Sequence, residues 1–176
     1  QPVALLAWLL DHEPEVVQQA RWVLMCKDYL RYRLTGRFVS DLTDMSGTSL
    51  MDVGRGEYDA ELLEAFGLSS IADRLPPAHA SEAICGEVTA QAAAETGLAE
   101  GTPVAAGMFD IDACALACGL VDDSPLCIIA GTWSINQYIA GAPVIGPDVF
   151  MSSRYCIPGF YLIPEASATS ASNLEW

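Results

Sequence analysis

The stretch from residue 103 to residue 119 constrains the fold of this chain most strongly. The apolar run of residues 103–109 predicts a buried strand, and the Ala- and Cys-rich residues 111–119 predict a closely packed helix. One carboxylate, Asp110, lies at the junction of the two. Because ligands of open α/β sheets bind beyond the carboxyl ends of strands, Asp110 is a candidate functional residue. Its alternative role is that of a helix cap.

A second strand and turn follow about a dozen residues later. Residues 126–130 predict a strand that ends in Gly131, Thr132 and Trp133. A glycine allows backbone N–H groups to approach a ligand closely, and the Thr132 hydroxyl adds a further donor. The turn therefore suits a phosphate group, although turns of this composition also occur without a ligand.

The composition excludes several classes of function. Apolar residues make up 52% of the 176 residues, which is ample for a buried core. The formal net charge of -15, with Lys27 as the one lysine beside seven arginines, argues against nucleic acid polymers and anionic membranes as partners. Neither an apolar run of about 18 residues nor a leader-like segment is present, so we expect a cytoplasmic protein. The chain also lacks the Gly-x-x-x-x-Gly-Lys turn of a P-loop.

The six cysteines form no C-x-x-C pair, so we expect reduced thiols in the core. Cys114 and Cys118 lie four residues apart on the predicted helix. Since no pair of histidines accompanies them, the sequence predicts no metal site there.

Helix signals dominate the first part of the chain. Residues 2–10 predict an opening helix, and a second helix begins near Pro14 with an apolar stripe that runs to Leu24. Residues 27–34 continue helically, and Gly36 is well placed as a left-handed cap.

Shorter elements follow. Residues 38–42 predict an edge strand, and the polar residues 41–49 predict a loop in which Asp44 is a candidate ligand; ordinary turn-forming hydrogen bonds are the alternative. Asp59 and Thr89 are expected to cap two further helices, and residues 84–88 to form a brief strand.

The composition changes near residues 122–125, where a turn-rich joint predicts a domain boundary. Beyond it, β signals recur at residues 128–129, 135–139 and 161–163.

Five segments, in this order, resemble the FGGY family of carbohydrate kinases. They are residues 26–36, 43–48 and 96–104, the strand that leads to Asp110, and the pair Gly131 and Thr132. Within the family, the similarity is greatest to pentulose kinases of the xylulose or L-xylulose type.

The resemblance implies an α/β chain with the ribonuclease H-like fold of the actin and hexokinase ATPases, present in part. Residues 1–121 would form the second half of the N-terminal, sugar-side domain. Residues 126–176 would begin the C-terminal, nucleotide-side domain. A central fragment of a longer protein is therefore expected.

The resemblance also implies roles for individual residues. Asp110 would bind the sugar and accept the proton of its attacking hydroxyl, as a general base. Gly131 and Thr132 would contact the γ-phosphate of ATP, and Asp44 would lie near the sugar cleft. Mg²⁺ would be bound through the nucleotide phosphates, with no metal ligand from the protein.

The implied substrate is a ketopentose or a related sugar or polyol, and a homodimer is one candidate assembly. The alternative is a non-catalytic fragment or a sugar-binding or interaction module of the same fold, because the phosphate turn that opens the family's N-terminal domain does not occur in this chain.

Four residues depart from the family pattern. Met108 and Phe109 are bulky where many relatives carry glycines, and their side chains would narrow the sugar pocket. Trp133 replaces a small residue and would change the shape of its loop, and Ile111 is apolar where several relatives carry a polar sugar contact. Four other residues are expected to have surface or structural roles: Asp112, a first-turn acid that is the reserve candidate for Asp110, and His12, His79 and Glu165.

Overall fold

A computed structural model describes residues 2–131 and 133–171 of the chain. Those residues contain seven α-helices: α1 (Pro2–His12), α2 (Pro14–Gln19), α3 (Cys26–Thr35), α4 (Leu42–Ser46), α5 (Ala60–Ala65), α6 (Ala90–Thr96) and α7 (Asp110–Ala117). A 3-10 helix covers Ser69–Arg74. In this described part, none of the helices has both the length and the apolar composition that crossing a membrane requires.

The strands are short. In chain order they are β1 (Ser40–Asp41), β2 (Met51–Asp52), β3 (Glu57–Tyr58), β4 (Ala78–His79), β5 (Ile84–Glu87), β6 (Pro103–Ala105), β7 (Cys127–Ala130), β8 (Ser134–Ala140), β9 (Ser153–Arg154) and β10 (Tyr161–Ser167). Three pairs form separate two-stranded sheets: β1 with β4, β2 with β3, and β5 with β6.

The largest sheet is antiparallel and has the strand order β7-β8-β10-β9. Its strands confirm the β signals predicted after residue 125. Strands β8 and β10 pair along their whole length, from Ser134 opposite Ser167 to Ala140 opposite Tyr161. Strand β7 lies at one edge of the sheet.

Two groups of buried apolar residues form the core. The first joins α1 and α2 to the helices after residue 59, and consists of Val3, Val17, Leu50, Leu63, Leu68, Ile71 and Leu75. The second joins α7 to the largest sheet, and consists of Ala115, Leu120, Cys127, Ile139, Tyr155 and Leu162. Helix α7 is thus packed on the sheet whose first hairpin carries Gly131.

The predicted caps are confirmed. The Asp59 carboxylate accepts hydrogen bonds from the backbone at the start of α5, and the Thr89 hydroxyl accepts one from Ala92 N in α6. Gly36 and Gly97 end their helices with φ of 72° and 79°. Both φ values lie in the left-handed region, which glycine adopts without a steric penalty because it has no Cβ.

The predicted second helix is wrong beyond Gln19, where α2 ends. The following segment is held by contacts with a distant part of the chain. The backbone N–H of Val23 donates to the carbonyl of Arg74 at 2.9 Å, and the Arg74 guanidinium donates to the carbonyl of Val17. These tertiary hydrogen bonds override the helical periodicity of the sequence.

The interpretation of residues 38–49 also needs correction. The predicted edge strand shrinks to β1, whose two residues are fully buried and pair in parallel with β4. The predicted loop is largely the helix α4. Asp41 is its N-cap, because Asp41 Oδ1 accepts the backbone N–H of Asp44 at 3.1 Å.

Strand β6 ends at Ala105, earlier than the apolar run predicts. Gly107 then adopts φ of 80°, which turns the chain before α7 begins at Asp110, as predicted.

Candidate active site

The first turn of α7 presents Asp110 to the surface. Asp110 is the first residue of the helix and is exposed, and its Oδ1 accepts the backbone N–H of Ile111 at 2.8 Å. The carboxylate therefore has room for an external ligand. Phe109 is the N-cap of the helix, but its side chain accepts no capping hydrogen bond.

The hairpin between β7 and β8 carries Gly131. Its backbone N–H donates to the carbonyl of Trp133 at 3.0 Å, and its carbonyl accepts from Ala171 N at 3.0 Å. The sequence predicted that backbone N–H groups of this turn would bind a phosphate, but the Gly131 N–H donates within the turn instead. A Cβ at Gly131 would lie 3.7 Å from the nearest atom, so close packing does not demand glycine here. Thr132 lies outside the residues that the structure describes.

A cavity of about 520 Å³ brings the neighbours of these candidates together. Phe109 and Ile111, on either side of Asp110, line it together with Trp133. Asp44 also lines the cavity, whereas Asp110 and Gly131 do not. The other walls are mainly apolar, so Asp44 supplies the acidic group. Phe109 and Trp133, which are bulky departures from the family pattern, therefore contribute directly to the shape of this cavity.

Asp44 is held by an ion pair. Its Oδ2 lies 3.0 Å from Lys27 Nζ, and the same ammonium lies 2.6 Å from Asp41 Oδ2. Burial raises the pKa of Asp44, and the attraction of Lys27 offsets part of that rise. Because Lys27 is shared between Asp44 and Asp41, it offsets only part of the negative charge that Asp44 brings to the cavity wall.

A buried ion cluster lies behind the cavity wall, and sequence reasoning assigned it no role. Arg31 Nη1 contacts Asp28 Oδ1 at 3.0 Å, and Arg31 Nη2 lies 3.8 Å from Asp41 Oδ2. The same guanidinium donates to the carbonyls of Val39, at 2.7 Å, and Ala106. The cluster therefore supports the segment that leads to Asp110. Its sequence signal is the run of charges in residues 27–33 and 41–44.

Asp112 differs from its sequence interpretation. It lies in the first turn of α7, but it is fully buried and does not act as a solvated first-turn charge. Its Oδ1 accepts the backbone N–H of Cys156 at 3.0 Å. Burial raises the pKa of Asp112 to about 8, so the carboxyl is neutral at pH 7 and adds no charge to the helix terminus.

Other candidates do not line the cavity. His12 and His79 are exposed, as expected, and Glu165 is exposed on β10 between two cavity-lining residues, Pro164 and Ala166. All six cysteines are free, but the expectation of core thiols is wrong for three exposed ones: Cys26, Cys114 and Cys118. Within residues 2–131 and 133–171, no group of three His, Cys, Asp or Glu side chains could hold a metal ion.

Comparisons with known proteins identify the family of the chain. The model of the N-terminal domain of the FGGY family of carbohydrate kinases matches residues 1–117. The chain is 42% identical, over 176 residues, to the L-xylulose/3-keto-L-gulonate kinase of Escherichia coli strain K12, and covers 99% of itself and 35% of that protein. It is 32% identical to the xylulose kinase of the same strain, covering 97% of itself and 35% of that protein.

Solved structures give the same result. The xylulose kinase from Rhodospirillum rubrum superposes with a TM-score of 0.92 at 30% identity, over 100% of this chain and 36% of that one. A glycerol kinase from Plasmodium falciparum, at 17% identity and a TM-score of 0.84 over 97% of this chain and 35% of its own, shares the fold. The expected ribonuclease H-like α/β fold is thereby confirmed. The chain spans about a third of the length of these relatives.

Proposed function

Because the chain belongs to the FGGY family of carbohydrate kinases, we propose that the protein containing it transfers the γ-phosphate of ATP to a hydroxyl of a ketopentose or a related sugar or polyol. The names of the relatives, which are L-xylulose and xylulose kinases, support this substrate class. The observation that carries the proposal is an exposed carboxylate, Asp110, at the start of a helix whose neighbouring residues line a cavity.

Asp110 is the proposed general base. A sugar hydroxyl that attacks phosphorus must lose its proton, and a positioned carboxylate that accepts it contributes about 10²- to 10⁴-fold to the rate. Asp110 Oδ1 accepts the backbone N–H of Ile111, which leaves Oδ2 for the substrate. Asp44 is proposed to bound the sugar side of the cavity, where its ion pair with Lys27 offsets part of its charge.

The hairpin at Gly131 is proposed to approach the transferred phosphate. Because the Gly131 N–H is bonded within the turn, we assign Gly131 a role in shaping the hairpin, and keep Thr132 as the proposed hydroxyl donor. Mg²⁺ is proposed to arrive on the ATP phosphates. The described residues do not fit a metal cage of their own, so no step is derived through the ion.

Three further expectations stay predictions: a cytoplasmic location, a homodimer, and a boundary between residues 121 and 126. The end of the family match at residue 117 supports the boundary.

The test measures ATP consumption by the full-length protein with a panel of ketoses and polyols. Asp110→Asn should lower kcat at least about 100-fold on the accepted sugar. Asp148→Asn removes an exposed carboxylate elsewhere and should leave kcat unchanged. Near-normal turnover by Asp110→Asn would refute the assignment. The 176-residue chain alone should consume no ATP, because it spans about a third of its relatives.

A further inference from the structure

We propose that Thr43 is a positioning residue whose hydroxyl holds the first turn of α7 where Asp110 can reach the sugar hydroxyl. The inference rests on the proposed role of Asp110 as the general base. It concerns a residue 66 positions earlier in the chain than the backbone group that it binds.

The Thr43 hydroxyl makes two hydrogen bonds in a fully enclosed position. Thr43 Oγ1 donates to Asp41 Oδ1 at 2.5 Å and accepts the backbone N–H of Phe109 at 2.7 Å. Since Thr43 is 1% exposed, water cannot replace either partner. Phe109 immediately precedes Asp110, so this bond fixes the backbone from which the proposed base projects.

The start of α7 needs this outside acceptor. In a capping box, an acidic side chain at the third helical position accepts the backbone N–H of the N-cap residue. That third position in α7 is Asp112, whose Oδ1 is engaged by Cys156 N instead. The N-cap residue Phe109 therefore obtains its acceptor from Thr43. Asp110 lies between two anchors, one at Thr43 and one at Cys156.

The support beneath Thr43 is rigid. Asp41, which accepts the hydrogen bond of the Thr43 hydroxyl, also accepts the Asp44 N–H and pairs with Lys27 Nζ at 2.6 Å. Arg31, in the same cluster, donates to the carbonyl of Ala106. The segment 106–109 is thus bound at one end by Arg31 and at the other by Thr43, which is itself anchored on Asp41. Its geometry depends on hydrogen bonds and not on the packing of apolar side chains alone.

The experiment is a double-mutant cycle in the full-length protein. Thr43→Val keeps the shape of the side chain and removes the hydroxyl, and should lower kcat about 10- to 100-fold with KM for ATP and sugar nearly unchanged. Thr43→Ser restores the hydroxyl and should recover most of the rate. In an Asp110→Asn background, Thr43→Val should leave the residual kcat nearly unchanged, because the group that it positions is gone.

Thr35→Val is the matched control. Its hydroxyl is also buried, but it bonds only to the backbone around the end of α3, at Arg31 O and Arg37 N. This variant should keep the kcat of the parent protein.

The possible results separate the two proposals. An equal loss of rate in the Asp110→Asn background, or a Thr43→Ser variant as slow as Thr43→Val, would overturn the positioning role alone. Full turnover by Asp110→Asn would overturn the proposed base and this inference with it. If Thr43→Val cannot be purified, hydrogen exchange of the Phe109 amide gives the answer: it should be faster in Thr43→Ala than in Thr43→Ser, and equal exchange would refute the hydrogen bond.

Discussion

Replacing Asp112 by asparagine should stabilise the protein at pH 8, and should do so much less at pH 5. Asp112 is fully buried, and its Oδ2 has no hydrogen-bond partner among the described residues. Asparagine keeps the side-chain oxygen that accepts the Cys156 N–H. The substitution therefore removes an ionisable group and preserves both the side-chain volume and the one hydrogen bond.

The magnitude follows from the pKa of Asp112, which burial raises from 3.8 to about 8. Between these values the folded protein holds a proton that the unfolded chain has lost. Stability therefore falls as the pH rises, by up to about 1.4 kcal/mol per pH unit, and levels off above about pH 8. The full shift corresponds to a limit of about 6 kcal/mol of lost stability. Relaxation of the site and water that enters it reduce this loss of stability, so we expect Asp112→Asn to be about 3 kcal/mol more stable than the parent at pH 8.

The assay is thermal and urea unfolding of the full-length protein from pH 5 to pH 9. The parent should lose stability across this range, and Asp112→Asn should lose about 3 kcal/mol less. Asp148→Asn, which removes an exposed carboxylate, should follow the parent curve. Parallel curves for the parent and Asp112→Asn would show that the carboxyl is already ionised at pH 5, and would refute the reasoning.

Substitutions at Gly86 and Thr89, away from the candidate site, test the packing and the capping, and Gly131→Ala serves as the comparison for the packing. Gly86→Ala should destabilise the protein by about 1–3 kcal/mol, because the new Cβ would lie 2.9 Å from Thr35 Cβ. Gly131→Ala should be tolerated, because its Cβ would meet no atom closer than 3.7 Å. Equal Tm values for the two variants would contradict this packing argument. Thr89→Ala removes the hydroxyl that accepts Ala92 N at 3.2 Å, and should cost about 1 kcal/mol by urea unfolding; an unchanged midpoint would show that the cap contributes nothing.

The sequence predicted the elements whose signals are local. The caps at Asp59 and Thr89, the turn at Gly36 and the strands after residue 125 each depend on neighbours within a few positions, and the structure confirms them. The beginning of α7 at Asp110 belongs to the same class, because the helix and the turn before it are adjacent in the chain.

The misinterpreted parts depend on distant partners. The carbonyl of Arg74 accepts the Val23 N–H after α2, and no local pattern could reveal a contact with so distant a residue. Asp112 resembled a surface acid because only its partner Cys156, 44 residues away, shows that it is buried. The ion cluster was present in the sequence as nearby charges, but charges on a helix ordinarily face water. Asp28 and Arg31 are buried because α3 packs against β1, where the Ser40 hydroxyl donates to Asp28.

The position of Lys27 makes this region open to chemical probing. Lys27 is the one lysine of the 176 residues, and its ammonium nitrogen is buried between two carboxylates while its side chain keeps 27% exposure. An acylating reagent should therefore spare it in the native protein and modify it once the cluster opens. Mass spectrometry of the peptide that carries Lys27 would show whether the ion cluster behind the cavity wall is intact.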